Sequence, residues 1–279
     1  MILVDFTQVV ISNLMVQLKM HKGEVNEDMI RYMVLNSLRS YQKKYSPEWG
    51  ELVLCNDAPN TWRKDFFPLY KANRKKSRKN DDKDWGLIFS TLNKVKEEIR
   101  DNFPYHYLYV EKAEADDIIA VMTKHHHAQR ILILSGDKDF QQLQAYPFVK
   151  QYSPVLNKWL ETDSAENFLK EHILRGDVSD GIPNVLSDDN CLDEGIRQKA
   201  LRGKTMNQYM ENGIEKDDKY YRNYKRNETL IDLNFIPEDI ERQVLEQFEN
   251  STPVKGKVFN YLVEHRLKNL MDNIGDFSL

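Results

Sequence analysis

Four short apolar runs, each followed by a longer segment of helical periodicity, constrain the fold of this chain more than any other feature. The runs cover residues 2–4, 52–55, 107–110 and 131–134. Short buried strands that alternate with helices are typical of a parallel sheet whose strands are joined by crossover helices. The sequence therefore predicts an α/β protein with a central, mostly parallel sheet flanked by helices.

The remaining pattern divides the chain into two parts. Residues 148–160 predict a short antiparallel pair of strands, and the pattern from about residue 164 onward is mostly helical. A chain of 279 residues is long enough for one large domain or for two lobes. We predict an α/β lobe over residues 1–160 and a smaller helical lobe over residues 161–279. Helices are expected at 9–20, 28–43 and 86–102, from about 115, after Gly136, and at 165–174.

The composition is that of a soluble globular protein. Charged residues make up 30% of the chain and hydrophobic residues 41%, and no window approaches the ~20 apolar residues of a membrane span. The N-terminus has neither a basic segment nor a long apolar stretch, so no signal peptide is expected. The two cysteines, Cys55 and Cys191, are too few for a disulfide scaffold. We expect a cytoplasmic protein, in the host cytoplasm if the source is a virus.

Acidic residues follow every one of the four predicted strands and the helix at 165–174. Because the carboxyl ends of parallel strands share one edge of a sheet, where ligands bind, these carboxylates are expected to converge. The full set comprises Asp5, Asp57, Glu114, Asp116, Asp117, Asp137, Asp139, Asp177 and Asp180.

Converging carboxylates point to divalent cations. Carboxylates packed together without counter-charge repel one another and raise their own pKa values. Mg²⁺ and Mn²⁺ favour oxygen ligands, and two such ions ~4 Å apart can activate a water and stabilise the leaving oxygen of a phosphoester. Each acid alone is also explained as a helix cap or as a first-turn acid that the helix dipole favours. Capping needs one acid per helix, so the Glu-x-Asp-Asp and Asp-x-Asp patterns favour a metal site.

Residues 63–79 form a strongly basic stretch within a chain whose net charge is −4. The stretch holds eight basic residues against one acid, with aromatic residues close by. Basic groups follow phosphates and aromatic faces stack on unpaired bases, so this segment predicts a nucleic-acid contact. A solvated basic helix with an aromatic core face is the alternative. The predicted contact residues are Arg63, Lys64, Lys71, Arg74, Lys75, Lys76, Arg78 and Lys79.

A second basic cluster lies in the predicted helical lobe, where it is mixed with tyrosines. The cluster comprises Lys219, Arg222, Lys225 and Arg226. The pattern favours a plain surface helix, with contact to duplex nucleic acid as the alternative.

Seven strings, taken in order, resemble the 5′-nuclease (flap endonuclease) superfamily, and most closely its branch of RNase H enzymes from T-even-type bacteriophages. The resemblance covers nearly the whole chain, and the ordered set is specific although no single string would be. The strings are Leu3-Val4-Asp5-Phe6, Leu54-Cys55-Asn56-Asp57, Trp62-Arg63-Lys64-Asp65-Phe66, Tyr70-Lys71-Ala72-Asn73-Arg74, Glu114-Ala115-Asp116-Asp117, Gly136-Asp137-Lys138-Asp139-Phe140 and Gly176-Asp177-Val178-Ser179-Asp180.

The resemblance implies a fold and a role for each acid. The fold is a PIN-like 5′-nuclease lobe with a helical arch, here at about residues 62–85, and a helical C-terminal lobe. Two Mg²⁺ ions are the implied cofactors, with Mn²⁺ as a substitute. The implied ligands are Asp5, Asp57, Asp116 and Asp137 for the first ion, with Glu114 close by, and Asp139, Asp177 and Asp180 for the second, partly through water. Asp117 matches a further acid of the phage branch.

The resemblance also implies an activity and a substrate. Lys71 matches an arch lysine that contacts the scissile phosphate, and Arg74 or Arg78 would assist it. The family cuts branched, nicked or flapped DNA and RNA–DNA duplexes as a 5′→3′ exonuclease or flap endonuclease. In phage it removes RNA primers from lagging-strand fragments during replication.

Two departures from the family pattern affect the expected partners. Residues 181–185 begin like the glycine-rich helix–hairpin–helix that grips duplex DNA, but the expected glycine pair is absent. The chain starts at its first strand, without the N-terminal extension that contacts the sliding clamp in the phage relative, so clamp binding is not expected. A single-stranded-DNA-binding protein remains a candidate partner of the C-terminal lobe, and no membrane is expected.

Two other functions stay open at this point. A PIN-type ribonuclease uses a similar acidic sheet edge, although the arch and the helical C-terminal lobe count against it. A non-catalytic protein that binds branched DNA during replication is the alternative from another class, and the complete set of acids disfavours it.

Overall fold

The computed structural model describes residues 1–20, 25–72 and 84–278, and within them a six-stranded sheet. The strands are β1 (Ile2–Asp5), β2 (Leu52–Asn56), β3 (His106–Tyr109), β4 (Ile131–Leu134), β5 (Val149–Ser153) and β6 (Lys158–Leu160). Neighbouring strands are parallel except for β5 and β6, which are antiparallel. The predicted fold class, a mostly parallel α/β sheet, is confirmed, as is the antiparallel pair within 148–160.

The order of the strands changes direction at β1. The sheet order is β3-β2-β1-β4-β5-β6, so the chain adds β2 and β3 on one side of β1 and β4 to β6 on the other. The crevice between β1 and β4 is therefore a topological switch point, and open α/β sheets bind their ligands at the carboxyl ends of the strands there. Asp5 ends β1 at this crevice, and Asp137 follows β4.

The helices fall where the periodicity predicts them, with boundaries that differ by a few residues. Those before β5 are α1 (Phe6–Met20), α2 (Glu27–Trp49), α3 (Trp62–Phe66), α4 (Trp85–Asn102) and α5 (Ala115–His126). Those after β6 are α6 (Ala165–Arg175), α7 (Gly203–Asn212), α8 (Tyr221–Ile231), α9 (Glu238–Asn250), α10 (Val258–Glu264) and α11 (Lys268–Met271). The helix predicted after Gly136 is of the 3-10 type, at Lys138–Ala145. No helix in the described ranges is long and apolar enough to cross a membrane.

The sheet is buried on both faces, which explains why its central strands are apolar without interruption. Successive strand residues point to opposite faces. Ile2 and Val4 accordingly pack with α1, α2 and α4, whereas Leu3 packs with α5 and α9. These two layers fix the carboxyl ends of the strands relative to one another.

The chain after β6 packs in two places. The helices α6, α7 and α8 form two small apolar clusters of their own, one of which also contains Phe67 and Tyr70. Residues 233–244 and 258–277 instead return to the two layers that cover the sheet. The lobe boundary at residue 160 stays a prediction.

Part of the predicted arch, about residues 62–85, can be described. It begins with α3 and a turn that reaches Ala72, and α4 begins at Trp85. The predicted contact residues Arg74, Lys75, Lys76, Arg78 and Lys79 lie outside the described residues, so their assignments stay predictions.

Candidate active site

Four carboxylates meet at the switch point of the sheet. Asp5 ends β1, Asp57 follows β2, Asp137 follows β4, and Asp116 lies in the first turn of α5, which follows β3. Asp5 lies close enough to Asp57 and Asp137 for their charges to affect its ionisation, and Asp116 is affected by Asp137 and Asp5. The structure thus brings together the four residues that the sequence predicts as ligands of the first metal.

Hydrogen bonds hold the carboxylates at the strand ends in place. Asp5 is 4% exposed, and its Oδ2 accepts a bond of 2.8 Å from the Ser135 hydroxyl. Asp57 Oδ1 accepts a bond of 3.0 Å from the backbone N–H of Ala115, the first residue of α5. Each acid therefore has a fixed orientation toward the crevice.

Burial and mutual repulsion disfavour the charged state of these acids. Burial, with the negative charges of Asp57 and Asp137, raises the pKa of Asp5 to about 8. Burial, followed by repulsion from Asp137, raises the pKa of Asp116 well above its ordinary value. Burial also raises the pKa of Asp137. Acids in this state bind protons that a divalent cation would displace.

Glu114 differs from the other acids because donors surround it. Its Oε2 accepts bonds from the Tyr70 hydroxyl at 3.0 Å, from Arg63 Nη1 at 3.1 Å and from the Thr61 hydroxyl at 3.1 Å. Its Oε1 accepts a bond of 2.6 Å from Lys71 Nζ. Burial opposes ionisation, but the charges of Lys71 and Arg63 prevail and lower the pKa of Glu114 to about 2. Glu114 is thus an anchor for basic side chains beside the crevice.

Lys71 reaches into the acid cluster from the start of the predicted arch. Its backbone has a φ of +57°, and its N–H donates a bond of 2.7 Å to the carbonyl oxygen of Asp180. Its Nζ lies 2.6 Å from Glu114 Oε1 and 3.5 Å from Asp180 Oδ2. The structure therefore places this ammonium group between the strand-end acids and those that follow α6.

A glycine turn after α6 positions Asp177 and Asp180, which together with Asp139 form the second set of acids. Gly176 has a φ of +67°, and a Cβ at this position would lie 2.4 Å from the carbonyl oxygen of Ile182. Only glycine fits here, and Asp177 follows at once. Asp177 Oδ1 accepts bonds from Ser179, at 2.8 Å from N and 2.6 Å from Oγ, and its Oδ2 lies 2.9 Å from Lys138 Nζ.

Asp177 and Asp139 have opposite ionisation preferences. Burial opposes the charge of Asp177, but hydrogen bonds from His172, Ser179 and Lys138 hold its pKa well below the usual range. Burial and the charge of Asp137 raise the pKa of Asp139 to about 7. Within the second set, Asp177 therefore accepts several hydrogen bonds, whereas Asp139 Oδ1 accepts none among the described residues.

His172 lies between these two acids, and no strong signal in the sequence indicates it. The Nε2 atom lies 3.2 Å from Asp177 Oδ2, and Nδ1 lies 3.5 Å from Asp139 Oδ1. One ligand atom from each of the three residues lies within 4.8 Å of the other two. The only local signal was a histidine near the end of a helix that precedes an acid pair.

Asp117, which the sequence predicts as a metal-binding acid, has protein partners instead. Its Oδ2 accepts bonds from Trp62 Nε1 at 3.1 Å and from the backbone N–H of Glu114 at 2.9 Å. Its Oδ1 lies 2.8 Å from Arg63 Nη1. Together with Glu114 it forms the capping box of α5. The contacts of Asp117 thus stabilise the start of this helix.

Arg63 and Arg226 require a correction as predicted nucleic-acid contacts. Arg63 is 2% exposed, pairs with Glu114 and Asp117, and donates from Nε to the carbonyl oxygen of Leu230. Arg226 is 4% exposed and pairs with Asp189. Neither guanidinium can reach a phosphate at the surface in this structure, because long-range contacts that the sequence does not indicate bury both side chains.

The other predicted contact residues that are described lie nearer the surface. Lys64 and Lys219 are exposed. Arg222 is exposed and forms a bidentate ion pair with Asp189. Lys225 forms an ion pair with Glu228. All four stay predictions as nucleic-acid contacts.

Lys96 is a basic residue near the crevice that the sequence did not single out. It projects from α4, its Nζ donates a bond of 3.0 Å to the Thr7 hydroxyl, and it lies near Asp57 and Asp5. Helical periodicity places Lys96 on α4 but says nothing about which strand end it faces.

The residues at the crevice fit a divalent cation. Their donor atoms are carboxylate oxygens, which are the ligands that Mg²⁺ and Mn²⁺ favour. The Oδ1 atom of Asp139 is buried without a hydrogen-bond partner among the described residues. Raised pKa values at Asp5, Asp116 and Asp137 show that Lys71 and the hydrogen bonds from described residues compensate the negative charge of these acids only in part. These acids could hold a cation, which would supply that compensation.

Two family descriptions match the chain and together span nearly all of it. Residues 1–172 match the 5′-3′ exonuclease N-terminal resolvase-like domain, and residues 163–277 match the C-terminal domain of T4 RNase H. The chain therefore belongs to the 5′-3′ exonuclease family, which is metal-dependent, and the predicted resemblance is confirmed. The predicted enzyme class, a hydrolase that acts on phosphodiester bonds, is confirmed as well.

A curated relative agrees with this assignment, and two solved structures share the fold. The chain is 33% identical over 290 residues to the Ribonuclease H of Enterobacteria phage T4, covering 99% of this chain and 95% of the relative. It resembles the bacteriophage T5 flap endonuclease, solved as a pseudo-enzyme-product complex with DNA and metal ions, at 20% identity and a TM-score of 0.62. That match covers 89% of this chain and 99% of the other. A T5 structure co-crystallised with metal ions matches at 19% identity and a TM-score of 0.61, covering 89% and 98%.

Proposed function

We propose that this protein is a metal-dependent 5′→3′ exonuclease and flap endonuclease that cuts branched, nicked or flapped DNA and RNA–DNA duplexes. The observation that carries the proposal is the convergence of Asp5, Asp57, Asp116 and Asp137 at the switch point, with Lys71 beside them. Phosphodiester hydrolysis needs positive charge at the phosphate, and this site combines places for cations with a fixed ammonium group. The names of the relatives support the same substrate class.

The cofactors of the proposed reaction are two Mg²⁺ ions, with Mn²⁺ as a substitute. Asp5, Asp57, Asp116 and Asp137 would hold one ion. The acids of the second set, Asp139, Asp177 and Asp180, would hold the other, partly through water. When bound, such ions activate the attacking water and stabilise the leaving oxygen.

The side chains of the site have separate tasks in the proposed reaction. Lys71 neutralises charge on the phosphate, because its ammonium group lies at the edge of the acid cluster. Glu114 positions Lys71 through the bond of 2.6 Å, and Tyr70 helps by donating to both Glu114 and Asp180 at 3.0 Å. Arg74 and Arg78 are proposed to assist from the remainder of the arch.

The proposed biological role is removal of RNA primers and flaps during lagging-strand replication. It rests on the similarity to the phage T4 Ribonuclease H. Exposed basic residues of the C-terminal part, Lys219 and Arg222, are the proposed contacts to duplex, and a single-stranded-DNA-binding protein is the proposed partner of that region.

A cleavage assay tests the proposed function. The substrates are a 5′-flap duplex and an RNA–DNA duplex labelled at the 5′ end, each incubated with Mg²⁺, with Mn²⁺ or with a chelator. We expect metal-dependent cutting at the junction or in short 5′ steps. An Asp116→Asn variant is the control for contaminating nuclease. Binding without cleavage in either metal would instead support a non-catalytic DNA-binding protein.

A further inference from the structure

We propose that His172 is a metal ligand, which binds a divalent cation through Nδ1 together with Asp139 Oδ1. The second cation position would then have a mixed nitrogen and oxygen donor set. This inference rests on the proposed function, since it concerns a metal site of the same enzyme. At this second position it predicts tighter binding of Mn²⁺, or of another first-row transition ion, than of Mg²⁺, because imidazole is not among the oxygen ligands that Mg²⁺ favours. Mg²⁺ would still occupy the position, with lower affinity.

Two buried polar atoms face each other without a hydrogen bond between them. The side chain of His172 is 5% exposed, and its Nδ1 lies 3.5 Å from Asp139 Oδ1. Neither atom has a hydrogen-bond partner among the described residues. Buried polar groups are paired in nearly all native proteins, so each exception requires an explanation such as an ion.

The separation of these atoms suits a shared cation. Ligand atoms that each lie at about 2.1 Å from one ion are about 3 to 4.2 Å apart, from adjacent to opposite positions. The observed 3.5 Å between His172 Nδ1 and Asp139 Oδ1 falls within this range. A direct hydrogen bond from nitrogen to a carboxylate is normally shorter, at about 2.7–2.9 Å.

The other ring nitrogen has the partner that a metal-binding histidine usually has. Nε2 lies 3.2 Å from Asp177 Oδ2, and metal-ligating histidines commonly donate their second N–H to a carboxylate. Asp177 is a suitable acceptor, because Lys138 and Ser179 hold it in place through bonds of 2.9 Å and 2.6 Å. With the proton on Nε2, Nδ1 carries a free lone pair 3.5 Å from Asp139 Oδ1.

The competing explanation is a protonated His172 that links Asp139 and Asp177 as an ion pair. In that case no cation touches the imidazole, and the residue only positions the two carboxylates. The two explanations differ in whether a nitrogen nucleus lies in the first coordination shell of the bound ion.

Pulsed electron paramagnetic resonance of bound Mn²⁺ measures that difference directly. The full-length protein is loaded with up to two equivalents of Mn²⁺, and nitrogen couplings to the manganese spin are recorded. We expect coupling to one imidazole nitrogen in the unsubstituted protein and its loss in His172→Gln. His106→Gln is the matched control, because His106 is 9% exposed but lies at the amino end of β3, where it contacts Glu51 and none of the proposed metal ligands. It should retain the coupling.

Binding titrations extend the test to ion preference. In His172→Gln we expect the affinity for one Mn²⁺ to fall about tenfold or more, with the affinity for Mg²⁺ changed less than threefold. Thermal melting checks that the variant is folded. If it is not, replacement of all histidines by ¹⁵N-histidine in the unsubstituted protein shows whether the coupled nitrogen belongs to a histidine. His172 is the one histidine that lies in a group of possible metal ligands among the described residues, so the coupling should change to that of ¹⁵N.

The outcomes separate this inference from the proposed function. Mn²⁺ that binds without nitrogen coupling, in a protein that cuts flaps, overturns the role of His172 and leaves the nuclease proposal intact. Absence of any Mn²⁺ binding overturns both. Coupling that persists in His172→Gln also overturns the assignment.

Discussion

Aspartates at the strand ends and an aspartate that follows α6 have pKa values shifted in opposite directions. At the strand ends, Asp5 and Asp116 face other carboxylates, and burial with repulsion raises their pKa values. After α6, Asp177 accepts bonds from Lys138, Ser179 and His172, and its pKa is lowered despite burial. Hydrogen-bond donors of the protein therefore compensate the negative charge of Asp177. The strand-end acids need cations to compensate theirs.

This difference suggests how stability and activity are divided within the site. The strand-end set opposes folding when no cation is present, because like charges are buried together. The set after α6 already has donors and forms part of a stable turn. Cation binding should therefore stabilise the protein mainly through the strand-end acids.

The largest effect is expected from Asp116→Asn and Asp137→Asn. Each removes a ligand and should lower cleavage roughly 10³-fold or more, because a bound metal contributes several kcal/mol to stabilising the transition state. Each should also raise the melting temperature of the chelator-treated protein, since a repelling charge is lost. Asp65→Asn, an exposed acid paired with Lys112, is the control. Near-normal cleavage in either variant would refute the assignment of these ligands.

Lys71→Ala should lower the cleavage rate by about 100-fold, a value typical of losing one group that stabilises charge in the transition state. Metal affinity, measured by titration, should change little because Lys71 donates its hydrogen bond to Glu114, which lies beside the proposed ligands and is not one of them. Lys112→Ala is a matched control, since Lys112 also has a positive φ but is exposed and paired with Asp65. An unchanged rate in Lys71→Ala would remove this residue from the proposed reaction.

The Asp117→Asn variant tests whether Asp117 stabilises the fold, in contrast to its neighbour Asp116, which is proposed to bind metal. Asp117 pairs with the buried Arg63 at 2.8 Å, and breaking a buried ion pair costs about 3 kcal/mol or more. We expect lower stability in denaturant unfolding with metal affinity retained, the reverse of Asp116→Asn. Loss of metal binding with stability unchanged would show that the sequence-based prediction of Asp117 as a ligand is right.

The last prediction concerns the dependence of stability on pH in the absence of metal. The pKa values of Asp5, about 8, and Asp139, about 7, lie above the value of about 4 in an unfolded chain. Between pH values of about 4 and 8 the folded protein binds more protons than the unfolded chain. Its stability therefore falls as the pH rises through this range. The lowered pKa values of Glu114 and Asp177 act below this window.

Urea unfolding at several pH values between 5 and 8 measures this dependence. In chelator the free energy of unfolding should decrease with pH, and saturating Mg²⁺ should flatten the curve because cations replace the protons. Stability that rises with pH in chelator would contradict the assigned charge states.

Much of the site follows from local patterns in the sequence. The runs at 2–4, 52–55 and 131–134 predict β1, β2 and β4, because short buried strands in a parallel sheet are apolar on both faces. The convergence of Asp5, Asp57 and Asp137 then follows from the geometry of any parallel sheet. No comparable rule indicates the side of the fold on which an arginine or a histidine lies.

Only the tertiary structure shows which groups Arg63 and His172 contact. Arg63 lies in a basic stretch but pairs with Glu114, 51 residues away, and His172 meets Asp139 across a contact between α6 and the segment after β4. The sequence alone determines which residues end strands, because periodicity and chain direction are local properties. It does not determine which charge meets which, because that depends on how separate elements pack, and packing at long range leaves no period in the sequence.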